Sequence, residues 1–191
     1  PPDPILPWLR HLGAWTISGG VLQGASTANT YGYVYNANTW TDYSVEGRIQ
    51  FVSGAFGGGI GGGVGATPRA HYGAGVYPDG SSGGSNVLKL IKYRDWTDWS
   101  QTPMQQVNLG SVGAGWHTLK LSFASNRIVV YYDGAQVIDV TDTGFDSRPA
   151  LASGGVSLDL WTQSTAYVMG VDDIVVRSPA QYGTSGALLS S

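Results

Sequence analysis

Tyr43-Ser44-Val45-Glu46-Gly47-Arg48-Ile49-Gln50-Phe51 alternates without a fault: every odd position is apolar or glycine, every even one polar. Successive side chains of an extended strand point to opposite faces, so this stretch reads as a strand with one face buried and one wet. The same period of two returns downstream, where His117, Leu119, Leu121 and Phe123 alternate with Trp116, Thr118, Lys120 and Ser122. Next, Asp133-Gly134 stands between Ile128-Val129-Val130-Tyr131-Tyr132 and Val137-Ile138. A type I′ turn needs positive φ at both central residues, which is what Asp-Gly supplies, so a hairpin is predicted there. Further strands are predicted at Trp15 to Ile17, Val21 to Gln23, Tyr31 to Tyr35, Gly58 to Val64, Ala70 to Tyr77, Val87 to Tyr93, Val107 to Leu109, Val156 to Trp161 and Tyr167 to Arg177. No convincing helical stripe interrupts them. The fold expected is all-β, two antiparallel sheets packed face to face as a sandwich or jelly roll.

Composition agrees with this and narrows the partners. Of 191 residues 29 are Gly, roughly 15 per cent against a usual share of about 7. Ten Lys+Arg against 13 Asp+Glu give a net charge of -3, leaving no positive field to release counterions from a nucleic acid. No apolar run approaches the roughly 18 residues of a membrane span. Zero Cys fits either redox compartment, because a domain of this length buries about 70 per cent of its unfolded surface and needs no staple. The domain is expected over residues 8–177, with a proline-rich arm at 1–7 and a Ser/Gly/Ala-rich tail at 178–191. Pro1 in place of Met suggests a processed or excised module. Ile5-Leu6 in the arm and Ala187-Leu188-Leu189 in the tail are apolar, and read as ends that seek a partner.

The order Trp15-Thr16-Ile17-Ser18-Gly19-Gly20-Val21-Leu22-Gln23-Gly24, Trp40-Thr41-Asp42-Tyr43-Ser44-Val45-Glu46-Gly47-Arg48, Trp116-His117-Thr118-Leu119-Lys120, Val130-Tyr131-Tyr132-Asp133-Gly134 and Val171-Asp172-Asp173-Ile174-Val175-Val176 resembles the concanavalin A-like lectin/glucanase superfamily. In particular it resembles laminin-G-like modules of secreted bacterial proteins, over about Trp8 to Arg177. The resemblance implies an extracellular setting, and a function drawn from lectins, glycosidases, lyases or adhesion modules. It also implies a structural calcium ion held by main-chain carbonyls and by an acid at the position of Asp172. Adjacent strand residues face opposite ways, so either Asp172 or Asp173 is expected to need a partner, a cation or backbone N–H groups.

Glycosidases of that superfamily carry Glu-x-Asp-x-x-Glu, which sets two carboxylates about 5 Å apart for a retaining mechanism. Glu46 is the only glutamate here and Arg48 stands two places on, so that chemistry is not expected. Asp95 with Asp98, or Asp139 with Asp142, could pair by spacing, but Asp at turns serves its own backbone. Gly57-x-Gly59-x-x-Gly62 has no helix behind it to hold a pyrophosphate, and Gly80-Ser81-Ser82-Gly83-Gly84 lacks the strand, helix and base of a nucleophile elbow. The scattered His11, His71 and His117 give no zinc pattern.

Binding chemistry gathers elsewhere. On one face of the strand ending at Tyr77 lie Arg69, His71, Gly73, Gly75 and Tyr77, two of them without side chains. Ser157, Asp159 and Trp161 share a face, as do Lys89 and Tyr93, and the following loop holds Trp96 and Trp99. Flat rings beside Asp, Arg and His suit a sugar, whose C–H face stacks and whose hydroxyls bond. The reading is therefore a non-catalytic carbohydrate-binding module of a secreted protein, bound on a glycine-lined concave face through Arg69, His71, Tyr77, Lys89, Tyr93, Trp96, Trp99, Asp159 and Trp161. Two alternatives stand beside it: a structural or adhesive unit assembling through its ends, and a glycan-active hydrolase or lyase using Arg69, His71 and Tyr77. Trp15, Trp40 and Trp116 are read as packing.

Overall fold

The computed structural model describes residues 3, 5–51, 56–66, 69–162, 164 and 166–178. The strands are β1 (Leu9–Leu12), β2 (Ala14–Ser18), β3 (Val21–Ser26), β4 (Tyr31–Trp40), β5 (Tyr43–Phe51), β6 (Gly57–Val64), β7 (His71–Tyr77), β8 (Val87–Tyr93), β9 (Gln105–Asn108), β10 (Trp116–Ala124), β11 (Arg127–Tyr132), β12 (Ala135–Thr141), β13 (Gly154–Trp161) and β14 (Tyr167–Arg177). They form two seven-stranded antiparallel sheets, β1-β4-β13-β6-β7-β8-β9 and β12-β11-β10-β5-β14-β3-β2. This is the expected two-sheet sandwich. β5 has the alternating burial that its sequence requires, and Val45, Ile49 and Phe51 are at most 2% exposed. Asp133 and Gly134 take φ of 49° and 80°, as the type I′ hairpin between β11 and β12 demands.

The core lies between the sheets, with Val34, Ile60, Tyr72, Leu88, Leu90, Leu158 and Leu160 from the first meeting Trp15, Val45, Ile49, Leu119, Leu121 and Met169 from the second. Two hydroxyls tie the layers together. Tyr43 Oη accepts from the Gly63 amide and donates to the Gly155 carbonyl, while Tyr167 Oη donates to the Gly57 carbonyl at 2.5 Å. Gly13, at φ of +80°, is where the chain leaves β1 on the edge of one sheet and enters β2 on the edge of the other; a Cβ there would stand 2.9 Å from the Gly32 backbone.

Several expectations need revision. Ile5 is not an exposed anchor: it is 1% exposed and part of the core, whereas Leu6 beside it is open. β1 was not anticipated, because Leu9-Arg10-His11-Leu12 has no alternation; its four residues are all exposed and it is held by backbone pairing to β4. Trp15 is core and Trp40 packs against it, but Trp116 lies on the solvent face of β10 with the Arg48 guanidinium 5.2 Å from its ring centre. Ala187-Leu188-Leu189 falls outside the described residues.

The argument that Asp172 and Asp173 face opposite ways also fails, because the ladder with β5 shifts register between Asp172 and Val175, and Asp173 has φ of +52°. Both carboxylates therefore reach Arg48, at 2.9 Å and 2.8 Å, and Asp172 accepts the Asp173 amide as well. One guanidinium thus holds both carboxylates, the partner that this pair was expected to need. Among the described residues no group of three or more metal-ligating side chains stands there.

Candidate functional site

The site is the outer face of the first sheet, and strand register builds it. Gly32 and Val34 of β4 turn toward the core, which sends Tyr31, Tyr33 and Tyr35 outward. Each then meets an outward residue of β13: Tyr31 opposite Trp161, Tyr33 opposite Asp159, Tyr35 opposite Ser157. On its other side β13 pairs with β6, placing Trp161 beside Gly57, Asp159 beside Gly59 and Ser157 beside Gly61. The row continues through Gly59 to Gly75 and Lys89, and through Gly61 to Gly73 and Ile91. A floor nearly free of side chains thus lies between walls of rings.

Most of that floor is roofed by neighbours. A Cβ on Gly57 would come within 2.8 Å of the Tyr77 ring, one on Gly73 within 2.8 Å of Tyr93, and one on Gly61 within 2.2 Å of Ser157 Oγ and 3.0 Å of Asp159 Oδ2. These glycines exist so that the rings and the carboxylate can lie flat over the strands. Gly75 differs, since its nearest neighbour is the Tyr77 ring at 3.4 Å, ordinary contact distance. Here the floor stays open, as the sequence suggested.

Two linked cavities result. The outer one, about 260 Å³, is lined by Tyr31, Phe56, Tyr77, Lys89, Trp99 and Trp161 among others. Beneath it a recess of about 30 Å³ is lined by Tyr31, Tyr33, Tyr77, Tyr93, Asp159 and the glycine backbone. The outer volume lies just below the roughly 300–1,000 Å³ of drug-sized sites and the inner is that of one water. Tyr31 lies 4.1 Å from Trp161 and 5.7 Å from Trp99 between ring centres, so the rim is one connected aromatic surface. Burial pushes the hydroxyls of Tyr31 and Tyr77 up to about 12, and those of Tyr33 and Tyr93 higher still. All four are neutral hydrogen-bonding groups near neutral pH. Lys89 donates to the Gly83 carbonyl at 2.5 Å and rests 4.6 Å from the Tyr77 ring centre, where loss of water lowers its pKa.

Of the residues named from sequence, Tyr77, Lys89, Tyr93, Trp99, Asp159 and Trp161 line these cavities. Three stand apart. Trp96 does not stand open in its polar loop: it is 6% exposed and forms a cluster with Tyr33 and Val64, because Asp95 accepts the Thr97 and Asp98 amides and turns the loop back onto the sheet. His71 is fully buried, stacked at 4.3 Å under Tyr93. Arg69 lies beyond it, donating to Tyr35 Oη at 3.2 Å with its charge over the Tyr35 ring. His71 and Tyr77 are six residues apart on one strand, roughly 20 Å, so the Arg69, His71 and Tyr77 set does not converge on one substrate atom. Tyr31, Tyr33 and Phe56 were missed; the Tyr31-Gly32-Tyr33-Val34-Tyr35 alternation carried the signal for the first two.

The carboxylates expected at turns serve the backbone. Asp133 accepts the Thr118 amide, and Asp142 those of Gly144 and Phe145. Asp139 is paired with Arg127. Glu46 stands on β5 of the other sheet, 3.7 Å from Arg177. Among the described residues Asp159 is the one carboxylate lining either cavity.

No family model matches the chain, and no curated protein does. Among solved structures it is similar to the carbohydrate-binding module CBM66 from Bacillus subtilis, at 17% identity and TM-score 0.73 over 90% of this chain and 95% of that one. It is also similar to a Bacillus subtilis protein of unknown function with a galectin-like fold, at 12% identity and TM-score 0.70 over 90% and 89%. A third is the β-glucanase of Bacillus licheniformis, at 13% identity and TM-score 0.65 over 90% and 92%. At these identities the likeness is one of fold, a jelly-roll sandwich found in a binding module and in a glycan-active enzyme alike.

Proposed function

We propose that the chain is a non-catalytic carbohydrate-binding module of an extracellular protein, holding a saccharide on the outer face of the first sheet. The observation that carries this is the cavity of about 260 Å³ whose rim is Tyr31, Phe56, Tyr77, Trp99 and Trp161, next to a recess of about 30 Å³ lined by bare backbone at Gly75. Rings give the apolar face of a sugar a surface to stack on, and neutral tyrosine hydroxyls, Lys89 and Asp159 give its hydroxyls partners. The similar fold of a carbohydrate-binding module supports the reading, as does a groove in which Asp159 is the one carboxylate among the described residues, where a retaining or inverting glycosidase places two across the scissile bond. The extracellular setting rests on the resemblance to laminin-G-like modules of secreted proteins.

A glycan array followed by calorimetry tests it. Trp161→Ala and Trp99→Ala are expected to weaken binding by roughly 1–3 kcal/mol each. Gly75→Ala narrows the floor without a clash and is expected to weaken binding at unchanged melting temperature. Retention of full affinity in all three, or no glycan retained by the wild type, would overturn the proposal.

A second reading, an assembling or adhesive unit, is favoured by Leu9 and Leu12 on β1 and Ile17 on β2, all exposed on neighbouring sheet edges. Edge strands with apolar side chains invite pairing. Light scattering over a concentration series distinguishes it: a stable dimer supports assembly, a monomer at every concentration removes it.

A further inference from the structure

Asp159 is 7% exposed, and neither of its carboxylate oxygens makes a hydrogen bond. Ser157 Oγ and His71 Nε2 beside it are likewise buried without one. Buried polar groups are nearly always bonded, so three in one place, with Asp159 among them lining a recess, need an explanation. His71 supplies part of it. Its Nδ1 stands 3.0 Å from the Arg69 carbonyl, which can only accept, so Nδ1 carries a hydrogen and Nε2 is left facing Asp159 Oδ2 at 3.3 Å. Oδ1 still has nothing to accept from.

Resting on the carbohydrate reading, we infer that Asp159 determines specificity at this site: it accepts a hydrogen from a hydroxyl of a neutral sugar and bars sugars that carry a carboxylate. The recess of about 30 Å³ admits one water-sized group from a ring seated in the cavity above, and a hydroxyl has that size. It also donates, which the recess requires, because neither Asp159 oxygen has a hydrogen bond. A uronate carboxylate cannot donate when ionised, is larger, and would meet Asp159 as a like charge. Lys89 is the group that could favour a uronate. Its ammonium is held by the Gly83 carbonyl and stands over Tyr77, one glycine removed from the β6 neighbour of Asp159.

The full chain is titrated, by calorimetry and by tryptophan fluorescence, with neutral hexose oligosaccharides of several linkages and with oligogalacturonates of matched length. The expected result is binding of a neutral oligosaccharide and at least about hundredfold weaker binding of every uronate. Asp159→Asn, which keeps the shape, is expected to weaken the neutral ligand about tenfold and to narrow the gap to the uronate. Uronate binding as tight as neutral binding overturns the inference and leaves the carbohydrate reading intact, as does an Asp159→Asn variant with unchanged affinity and selectivity. Absence of binding by both classes overturns the carbohydrate reading itself and the inference with it. If Asp159→Asn does not fold, the wild-type comparison of the two classes decides alone.

Discussion

Asp142, just past β12 of the second sheet, and Asp159, in β13 of the first, are both buried carboxylates, and they are opposites. Asp142 is 1% exposed and saturated: Lys92 Nζ and Tyr72 Oη donate to Oδ2 at 2.6 and 2.7 Å, and two backbone amides donate to Oδ1. Lys92 is saturated in turn, by the carbonyls of Phe145, Arg148 and Pro149. Asp159 has His71 at 3.3 Å and no hydrogen bond. A buried charge with every valence met pins a loop; one left open is poorly placed for stability and well placed for a ligand. Burial alone does not tell structure from site, whereas the state of the partners does.

The largest effect expected from this contrast is on folding. Lys92→Met or Asp142→Ala leaves an uncompensated buried charge and should cost about 3–5 kcal/mol in denaturant unfolding. Asp159→Asn removes a charge that nothing in the described structure hydrogen-bonds and should change stability by less than about 1 kcal/mol. Equal losses at the two positions would break the comparison.

Acid probes the saturated carboxylate directly. Burial pushes the Asp142 carboxyl up, but hydrogen bonds from Lys92, Tyr72 and the Phe145 and Gly144 amides outweigh it and hold it below the usual carboxylate range. A group whose pKa is depressed by folding binds its proton more readily when unfolded. Its contribution is therefore fully present above the unfolded value of about 3.9 and is lost as pH falls through the lower folded value. The acid limb of the stability curve should be shallower in Asp142→Asn than in the wild type.

Tryptophans sharpen the contrast at the next scale. Trp96→Ala empties a packed cluster and should cost roughly 3 kcal/mol of stability, as large-to-small changes in cores do. Trp99→Ala, half-buried on the cavity rim, should leave the melting temperature nearly unchanged. The reverse outcome would exchange their roles. Smallest of all, Arg48→Ala should cost at most about 1 kcal/mol, since its pairs with Asp172 and Asp173 are largely exposed. Added calcium should leave the wild-type melting temperature where it is; a rise of several degrees would show that the folded chain binds a cation.

The sandwich was legible because alternation is a local property: β5, β10 and the Asp133-Gly134 hairpin declare themselves within a few residues. The site was legible where it followed the same rule, as for Asp159 with Trp161 and Tyr77 with Gly75. What stayed hidden was set by contacts distant in sequence. Trp96 is buried because its loop folds back onto Tyr33 and Val64, and Ile5 because an arm rich in proline still reaches the core. A bulge undid the reasoning about Asp172 and Asp173, since alternation says nothing of where register shifts. The exclusion of Glu-x-Asp-x-x-Glu needed only a count, and a count survives folding.

The turn at Gly13 has a mechanical consequence. It places the first strands of the chain, β1 and β2, on the outer edges of the two sheets, each paired along one side only. The last described strand is instead β14, which lies within its sheet between β5 and β3. Tension entering through the N-terminal segment meets β1 first, then β2 after the corner, and can peel them one after the other. Tension at the other end meets Asp172 to Arg177, paired with β5 alone, before it reaches Met169 to Val171, which are flanked on both sides. The sandwich is thus a fastener singly stitched where the load enters, and a pull on the N-terminal side opens it from residue 9 toward residue 18.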